Sequence, residues 1–508
     1  MIFFKKIHPK VLAFLIIVYL LFILTGCPST LPTKTTKIIE ETAEKLIEET
    51  TTQEQTTQEP KEETEQETEI TIEQETAEEG IEETTITSTN EEANMGMLAY
   101  INDGNIYIKD LPNGQVKQLT TDGKNHNPSF SPSGQWIACY KNDKINLIQI
   151  SSGETRVIKT NEVVEFFWSP VSDTIAYITW PGSLLVASSP EWHEHELVPN
   201  IDGREGTAVN DITWSPDGEW IAYTQDKCIK KEPSPGFYYS LCKIRKDGSE
   251  KTELCGSNLL LGVPPPLPDN YYASIVATWS LDGEYIIFWS ALTASILADS
   301  TSLMVIPSNG GNPSKLVEHM LIYSDFLDNS SNGKLLAITE GAYRFTWLQK
   351  HIVIVDISSG SRSIITDKNI SALYPKWSPD GKQIAYVAAP DIGPIIMDSD
   401  IVKAGMAKRR IRVVNISNMK KLQFKQLTND QAYRDEFPIW SRDGKYILFT
   451  RIDTEDRSSL WLISEVGGEP QQVVKELTLS LEWPRFYGHT WWNDCFDWWQ
   501  GDVITTQK

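Results

Sequence analysis

Histidine and carboxylate side chains are the first candidates for chemistry, because together they can bind metal ions or transfer protons. The chain holds only 7 His among its 508 residues. His193 and His195 lie in the run Trp192–Glu196, which places two imidazoles beside two carboxylates. A motif this short is more simply explained as a polar loop or an edge strand than as a metal site. We predict neither a metal ion nor a cofactor.

Two further histidines, His126 and His489, each precede a segment rich in aromatic residues. The sequence has no G-x-S-x-G motif of a serine hydrolase, and no hydrolase domain is expected between the repeats and Lys508. We therefore predict no catalytic residue and expect that the protein is not a peptidase.

Five cysteines follow Cys27, and an odd number leaves at least one thiol free. Cys228 and Cys242 flank a loop that contains Pro and Gly, so they are the first candidate disulfide. Pairing of Cys255 with either of these two remains an alternative. Cys139 lies in a strand-like segment, and we predict that it is a buried free thiol.

The first 27 residues read as a targeting signal. Three lysines precede an apolar run, Val11–Leu24, whose 14 residues would span only about 21 Å as a helix, too short for a bilayer core of ~30 Å. Such a run is typical of a signal peptide. The sequence Leu24-Thr25-Gly26-Cys27 resembles the lipobox of bacterial lipoproteins. That resemblance implies that Cys27 is lipidated and anchors the protein to a membrane outside the cytoplasm.

Residues 28–94 carry most of the formal net charge of −23, with 20 Glu against 4 Lys and no aromatic residue. Such a segment cannot bury enough apolar surface to offset the loss of chain entropy. We predict a disordered acidic linker. The remaining residues are mildly acidic and show no basic stripe, which argues against nucleic-acid binding.

Residues 95–508 contain a repeated unit, and its clearest copies are Asp211–Thr224 and Tyr374–Val387. In each copy an anchor aromatic ends a short strand, Ser-Pro-Asp-Gly forms a turn, and alternating apolar residues form the return strand. The steps between copies suit one four-stranded blade with variable loops. The anchor positions are residues 130, 168, 214, 279, 326, 377 and 440.

This repeat resembles those of the TolB, tricorn and prolyl-oligopeptidase propellers. The resemblance implies an all-β propeller over residues 95–508. Seven anchors with hairpins, together with three strand-like segments before residue 121 and one at Asn493–Gln500, predict eight blades. The first and last segments would share one blade and close the ring. Seven blades is the alternative, if the copy at Phe326 or the region 258–272 is misread.

Loops that lead into the innermost strands of a propeller converge at one end of its central channel. Polar loop clusters on a rigid scaffold suit ligand recognition. The predicted ligand-binding residues at this channel mouth are His126, Asn127, Glu162, Asn210, Asp211, Tyr374, Arg434, Asp435, Glu436 and Asp494. Two insertions, Leu259–Tyr272 and Ala388–Arg410, are predicted on the rim.

The favoured function is a non-enzymatic, monomeric binding module that is displayed on a membrane and recognises a protein, a peptide or an envelope polymer. The resemblance to TolB implies interactions with envelope proteins, although no partner residue can be transferred. One alternative is a polysaccharide lyase or glycosidase with its active site at the channel mouth. Another is a receptor subunit that feeds an importer.

Overall fold

The repeats fold into eight four-stranded antiparallel sheets in the computed structural model of the chain. The structure describes residues 95–158, 162–201, 207–229, 236–260, 274–290, 300–393, 400–478 and 487–501. The predicted signal peptide, Cys27 and the acidic linker lie outside these residues, as does most of the insertion Leu259–Tyr272. None of the helices within the described ranges has the length and apolarity needed to cross a membrane.

Each sheet is one blade, numbered here in chain order. Blade 1 contains β1 (Met97–Asn102), β2 (Asn105–Asp110) and β3 (Val116–Gln118). The strands of blades 2 and 3 are β4 (Asn125–Phe130), β5 (Trp136–Lys141), β6 (Lys144–Gln149), β7 (Thr155–Val157), β8 (Val163–Trp168), β9 (Thr174–Thr179), β10 (Ser183–Ser188) and β11 (Glu194–Val198). Those of blades 4 and 5 are β12 (Thr207–Trp214), β13 (Trp220–Ile229), β14 (Gly236–Arg245), β15 (Thr252–Leu260), β16 (Ser274–Trp279), β17 (Tyr285–Ser290), β18 (Thr301–Pro307) and β19 (Ser314–Met320).

Blades 6 to 8 follow the same order. Their strands are β20 (Leu327–Asn329), β21 (Leu335–Glu340), β22 (His351–Asp356), β23 (Arg362–Ile364), β24 (Ile370–Trp377), β25 (Gln383–Pro390), β26 (Arg410–Asn415), β27 (Gln423–Gln426), β28 (Tyr433–Trp440), β29 (Tyr446–Asp453), β30 (Ser458–Ser464) and β31 (Gln471–Leu477). A short helix, α1 (Asp400–Met406), lies between β25 and β26, within the predicted insertion Ala388–Arg410.

The ring closes in blade 1, as the sequence predicts. Strand β32 (Phe496–Trp499) supplies the innermost strand of that blade. It pairs antiparallel with β1, so that Met97 lies opposite Trp499 and Tyr100 opposite Phe496. Because the missing inner strand comes from the other end of the repeat region, both edges of an open array are removed. The prediction of an eight-bladed propeller is confirmed.

The anchor tryptophans join neighbouring blades by a recurring hydrogen bond. The indole Nε1–H of each donates to a backbone carbonyl in the innermost strand of the preceding blade. Trp168 donates to Ser129 O at 3.1 Å, and Trp440 donates to Lys376 O at 3.0 Å. The large ring is buried or half-buried while its single donor is satisfied, which explains the preference for Trp at this position.

One anchor prediction was wrong. In blade 6 the position equivalent to the anchor is Asn329, whose Nδ2 donates to Trp279 O at 3.1 Å. The preceding residue, Asp328, accepts the Trp377 indole at its backbone oxygen, as residues before other anchors do. Phe326 instead ends a 3₁₀ turn, Ser324–Phe326, and is fully buried. The sequence pattern points to the aromatic Phe326, whereas the anchor is the polar Asn329, three positions later.

The predicted disulfide is also wrong. Strand register places Cys242 opposite Tyr223 and Cys228 opposite Phe237. The two cysteines are therefore offset by five residues, about 16 Å, whereas a disulfide needs Cα atoms within about 7 Å. Cys242 and Cys255 are both free thiols, which excludes the alternative pairings. Cys139 is a buried free thiol, as predicted.

The connections differ sharply between blades at the end of the propeller where the innermost strands begin, here called the upper face. Two residues join the second and third strands of blades 1 and 2. In blades 6 and 7 the equivalent connections are long, 341–350 and 391–409, and they pack through a small apolar cluster that includes Trp347 and Val402. The upper face is therefore built up over blades 6 and 7.

Candidate functional site

The segment 487–494 leads into β32 and lies over the channel at the raised side of the upper face. Its His489 is fully buried, with Nε2 donating to Asp325, 2.9 Å from Oδ1 and 3.0 Å from Oδ2. The imidazole stacks on Tyr323, with ring centroids 3.8 Å apart. Since a carboxylate only accepts hydrogen bonds, this contact places a proton on Nε2. Nδ1 is buried and has no hydrogen-bond partner among the described residues.

Asp494 lies near the same pair. Burial raises the pKa of Asp494 to about 6, and the neighbouring Asp325 carboxylate adds to the rise, while His489 opposes it. The cluster of His489, Asp325 and Asp494 therefore holds two carboxyl groups with one histidine.

The inner strands that support this cluster share an unusual backbone feature. Asn127, Tyr374 and Phe437 have positive φ values of 54°, 54° and 52°, and each precedes a proline at a break in strand pairing. The left-handed region suits Asn and is uncommon for aromatic residues. The two aromatic rings pack edge to face, 5.7 Å apart, and the Tyr374 hydroxyl accepts a hydrogen bond from Thr490 N at 3.3 Å. The bulges thus bring Tyr374 against the segment that carries His489.

Glu436 is the centre of a buried charge network beside this segment. Its carboxylate receives Arg409 Nη1 at 2.7 Å and Trp492 Nε1 at 3.1 Å, and Arg434 Nε lies 2.9 Å from the same oxygen as Arg409. Burial alone would raise the pKa of Glu436, but Arg434 and Arg409 hold it below its ordinary value. Glu436 is therefore ionised and forms ion pairs with two guanidinium groups, those of Arg409 and Arg434.

The neighbouring Asp435 has a separate partner. Its Oδ1 accepts a hydrogen bond from Arg451 Nε at 2.8 Å, and both side chains are buried. Arg451 also lies over the rings of Tyr433 and Trp461, at 4.9 and 4.6 Å. This pair faces the interior of blade 8 and has a structural role.

A cavity of about 680 Å³ opens between blades 7 and 8 above these groups. This size lies within the ordinary range for small-ligand pockets. We call it the upper pocket. It is lined by Lys403, Ala404, Met406, Ala407, Gln431, Ala432, Tyr433, Arg434, Ile452, Asp453, Thr454, Asp456, Gly488, His489 and Thr490.

Half of the predicted mouth residues lie outside the upper pocket. His126, Asn127, Glu162, Asn210 and Asp211 belong to blades 2 to 4 or to the connections that lead into them, and none of them lines the upper pocket. The His126 ring stacks on Tyr140, with centroids 5.2 Å apart. Asp211 Oδ2 accepts a hydrogen bond from Thr224 at 2.9 Å, and burial raises the pKa of Asp211 to about 6.

The structure therefore divides the predicted site. Tyr374, Arg434, Glu436 and Asp494 lie together around the segment 487–494, and Arg434 is the member of the predicted set that lines the upper pocket. His193 and His195 lie at the edge strand β11 of blade 3, as the simpler interpretation predicts. Within the described ranges, no group of three or more His, Cys, Asp or Glu side chains is placed to hold a metal ion.

Two contributors to the site are not predicted from the sequence. Asp325 escapes prediction because an anchor at Phe326 would place Asp325 inside a strand. Arg409 falls within the predicted rim insertion Ala388–Arg410, yet its guanidinium is buried and also donates to Thr346 Oγ1 and Gly488 O, at 2.7 and 2.8 Å. A basic residue directly before a strand of a regular repeat was the available signal.

Comparison with known proteins agrees with the repeat. The model of the WD40 family (WD domain, G-beta repeat) matches residues 196–230, which span about one repeat. A TolB structure from Agrobacterium tumefaciens is 18% identical, covers 55% of this chain and 84% of its own, and has a TM-score of 0.32. An oligogalacturonate lyase from Vibrio parahaemolyticus is 11% identical, covers 77% and 90%, and has a TM-score of 0.41.

Two curated proteins also match part of the chain. A probable dipeptidyl-aminopeptidase B of Tuber melanosporum is 23% identical over 238 residues, and dipeptidyl-peptidase 5 of Porphyromonas gingivalis is 21% identical over 204 residues. The chain spans about a quarter of the length of each relative, 25% and 27%. The chain is a β-propeller with TolB-like repeats, an assignment that rests on its own eight sheets and the motifs they carry.

Proposed function

We propose that the protein is a lipoprotein, anchored outside the cytoplasm through Cys27, whose propeller binds a protein, a peptide or an envelope polymer without transforming it. The upper pocket is the observation that carries the binding role. It combines ligand-sized volume, polar groups from separate elements and a rigid sheet scaffold. The anchoring rests on the lipobox-like sequence and the apolar run before it.

Binding is favoured over catalysis by the position of the titratable groups. Asp325 and Asp494 neighbour His489 but do not line the upper pocket, and the His489 ring is fully buried. A general base must reach the proton that it removes. In this arrangement Arg434, rather than an acid–base pair, is the charged group of the predicted site that a ligand meets.

The binding role can be tested by blocking the upper pocket. Thr454 is an exposed pocket residue in the turn between β29 and β30, so Thr454→Trp should fill the opening without disturbing the core. Glu455→Trp places the same side chain on the adjacent residue, which does not line the pocket. The purified full-length protein and both variants would be used to capture components of a bacterial envelope extract, with mass spectrometry of what is retained.

We expect wild type and Glu455→Trp to retain the same components and Thr454→Trp to lose them at least tenfold. Retention that survives Thr454→Trp would remove the upper pocket from the proposed function.

The second candidate is a lyase or glycosidase, which one observation supports. His489 has its Nε2 fixed by Asp325 and its Nδ1 unpartnered among the described residues, which is the arrangement of a histidine general base. If a captured polysaccharide is shortened with time by wild type but not by His489→Gln, the protein is an enzyme and the non-enzymatic proposal fails.

A further inference from the structure

Four arginines lie at the junction of blades 7 and 8, and three of them donate hydrogen bonds to other protein groups. Arg409 donates to Glu436, Gly488 and Thr346. Arg410 Nη1 donates to the backbone oxygens of Ala407, Arg409 and Tyr433. Arg451 donates to Asp435 and lies against aromatic rings. These three guanidinium groups hold the polypeptide in place.

Arg434 differs from the other three. Its Nε lies near Glu436 but without the alignment of a hydrogen bond, and the structure provides no other acceptor for it among the described residues. The side chain is 20% exposed, and it lines the upper pocket. A guanidinium carries five N–H donors in a planar fork. Because Nε is buried, a ligand in the pocket would meet the terminal Nη groups of this fork.

The charge balance behind the pocket also favours an anion. Glu436 is the one carboxylate within ion-pair distance of both Arg409 and Arg434 in the described part of the chain, so two positive charges share one negative charge. Burial of an incompletely compensated charge is costly, and a bound anion would reduce that cost. Asp456 acts on Arg434 from a longer distance, and Asp453 is engaged by Arg457 at 2.8 Å.

The remaining lining indicates what the anion is attached to. Ala404, Met406, Ala407, Ala432 and Ile452 give the pocket an apolar wall. Tyr433 is the one six-membered aromatic ring of the lining, and Arg451 lies over it at 4.9 Å. Sugar rings stack on open aromatic faces, and Arg451 already occupies one face of this ring. A ligand that carries an apolar side chain next to a carboxylate fits the apolar wall of the upper pocket better than a sugar does.

The geometry points to the carboxylate of a peptide C-terminus as the group that the upper pocket recognises, with Arg434 as its bidentate partner and the final side chain against the apolar wall. This inference rests on the proposed binding function and specifies its ligand.

The test compares free and amidated C-termini. Full-length protein is mixed with an equimolar library of N-acetylated tripeptides ending in Leu, Met, Phe or Val, prepared once as free acids and once as C-terminal amides. Retained peptides are quantified by mass spectrometry after ultrafiltration. Arg434→Met removes the charge at similar length. The matched control is Arg362→Met, because Arg362 is an exposed arginine on blade 6 that also pairs with a glutamate.

We expect wild type and Arg362→Met to retain the acids at least tenfold over the amides, and Arg434→Met to lose that preference. Loss of a charge-assisted hydrogen-bonded pair corresponds to about a tenfold to hundredfold change in affinity. If thermal unfolding shows that Arg434→Met is not folded, the inference is judged only by whether the wild type prefers acids to amides.

Equal retention of acids and amides, or no retention of either library, would overturn the inference. It would also be overturned if trigalacturonate, but not the peptides, bound in an Arg434-dependent manner. Each of these results leaves the proposed binding function intact as long as Thr454→Trp still abolishes capture from the envelope extract, so the two failures are distinguishable.

Discussion

Asp494 is a carboxyl group in surroundings that disfavour its charge, since burial and Asp325 raise its pKa to about 6. An unfolded aspartate has a pKa near 3.9, so between about pH 4 and pH 6 the folded protein binds more protons than the unfolded chain. Stability contributed by this residue is therefore fully present below about pH 4 and is lost as the pH rises through 6.

Asp494→Asn removes that charge while keeping the shape. We expect the variant to be more stable than wild type by about 1–3 kcal/mol at pH 7.5, with the difference disappearing near pH 4. Urea unfolding at both pH values measures it. Asp110→Asn, at an exposed strand end, is the control and should show no such difference. A loss of stability in Asp494→Asn at pH 7.5 would mean that the folded protein favours the charged form of Asp494, contrary to this prediction.

The anchor hydrogen bonds act between neighbouring sheets. Trp440→Phe keeps a buried ring but removes the donor to Lys376 O. The buried carbonyl is then unsatisfied, and some packing is lost. We expect a cost of about 1–3 kcal/mol in the free energy of unfolding, measured by urea titration. Trp180→Phe is the matched control, because Trp180 is 61% exposed, and it should change stability by less than about 0.5 kcal/mol. Equal effects of the two substitutions would deny the anchors this role.

The same elements show what the sequence could and could not predict. The residue types of Trp214 and the Ser-Pro-Asp-Gly that follows it are enough to predict the end of a strand and a turn. In blade 6 the anchor is Asn329, so the strongest signal is missing and the position is misread by three residues. The distance between Cys228 and Cys242 depends on strand register, which local sequence does not reveal.

For the candidate site, individual residues could be predicted from the sequence, but the contacts between them could not. Arg434 and Glu436 were found because they begin an innermost strand, and all such strands begin at one face. Which of these residues meet one another depends on connections of unequal length, above all 341–350 and 391–409. Those loops raise one side of the face and separate His126 and Asp211 from the upper pocket. Residue types do not encode that asymmetry.

Closure through β32 concerns all eight blades, because one strand joins the two ends of the ring. Trp498 is 7% exposed, and its indole donates to Met95 O at 2.9 Å. We expect Trp498→Ala to cost about 3–5 kcal/mol and to weaken pairing of β32 with β1 first. Hydrogen exchange should therefore accelerate in Met97–Tyr100 well before it does in β13.

Val466→Ala, a substitution at a residue that is 65% exposed, is the control for this experiment. Uniform acceleration across all blades in Trp498→Ala would show that the ring opens as one cooperative unit, without local release of blade 1.

The ring is closed by a strand that the ribosome makes after β1–β31, and the residues immediately before that strand form part of the upper pocket. During synthesis, therefore, all strands of blades 2 to 8 and three of the four strands of blade 1 are made before Gly488, His489 and Thr490. A nascent or interrupted chain has an incomplete ring and an incomplete pocket at the same time. Ligand binding is consequently a report of ring closure: a molecule able to hold its ligand already has β32 in place.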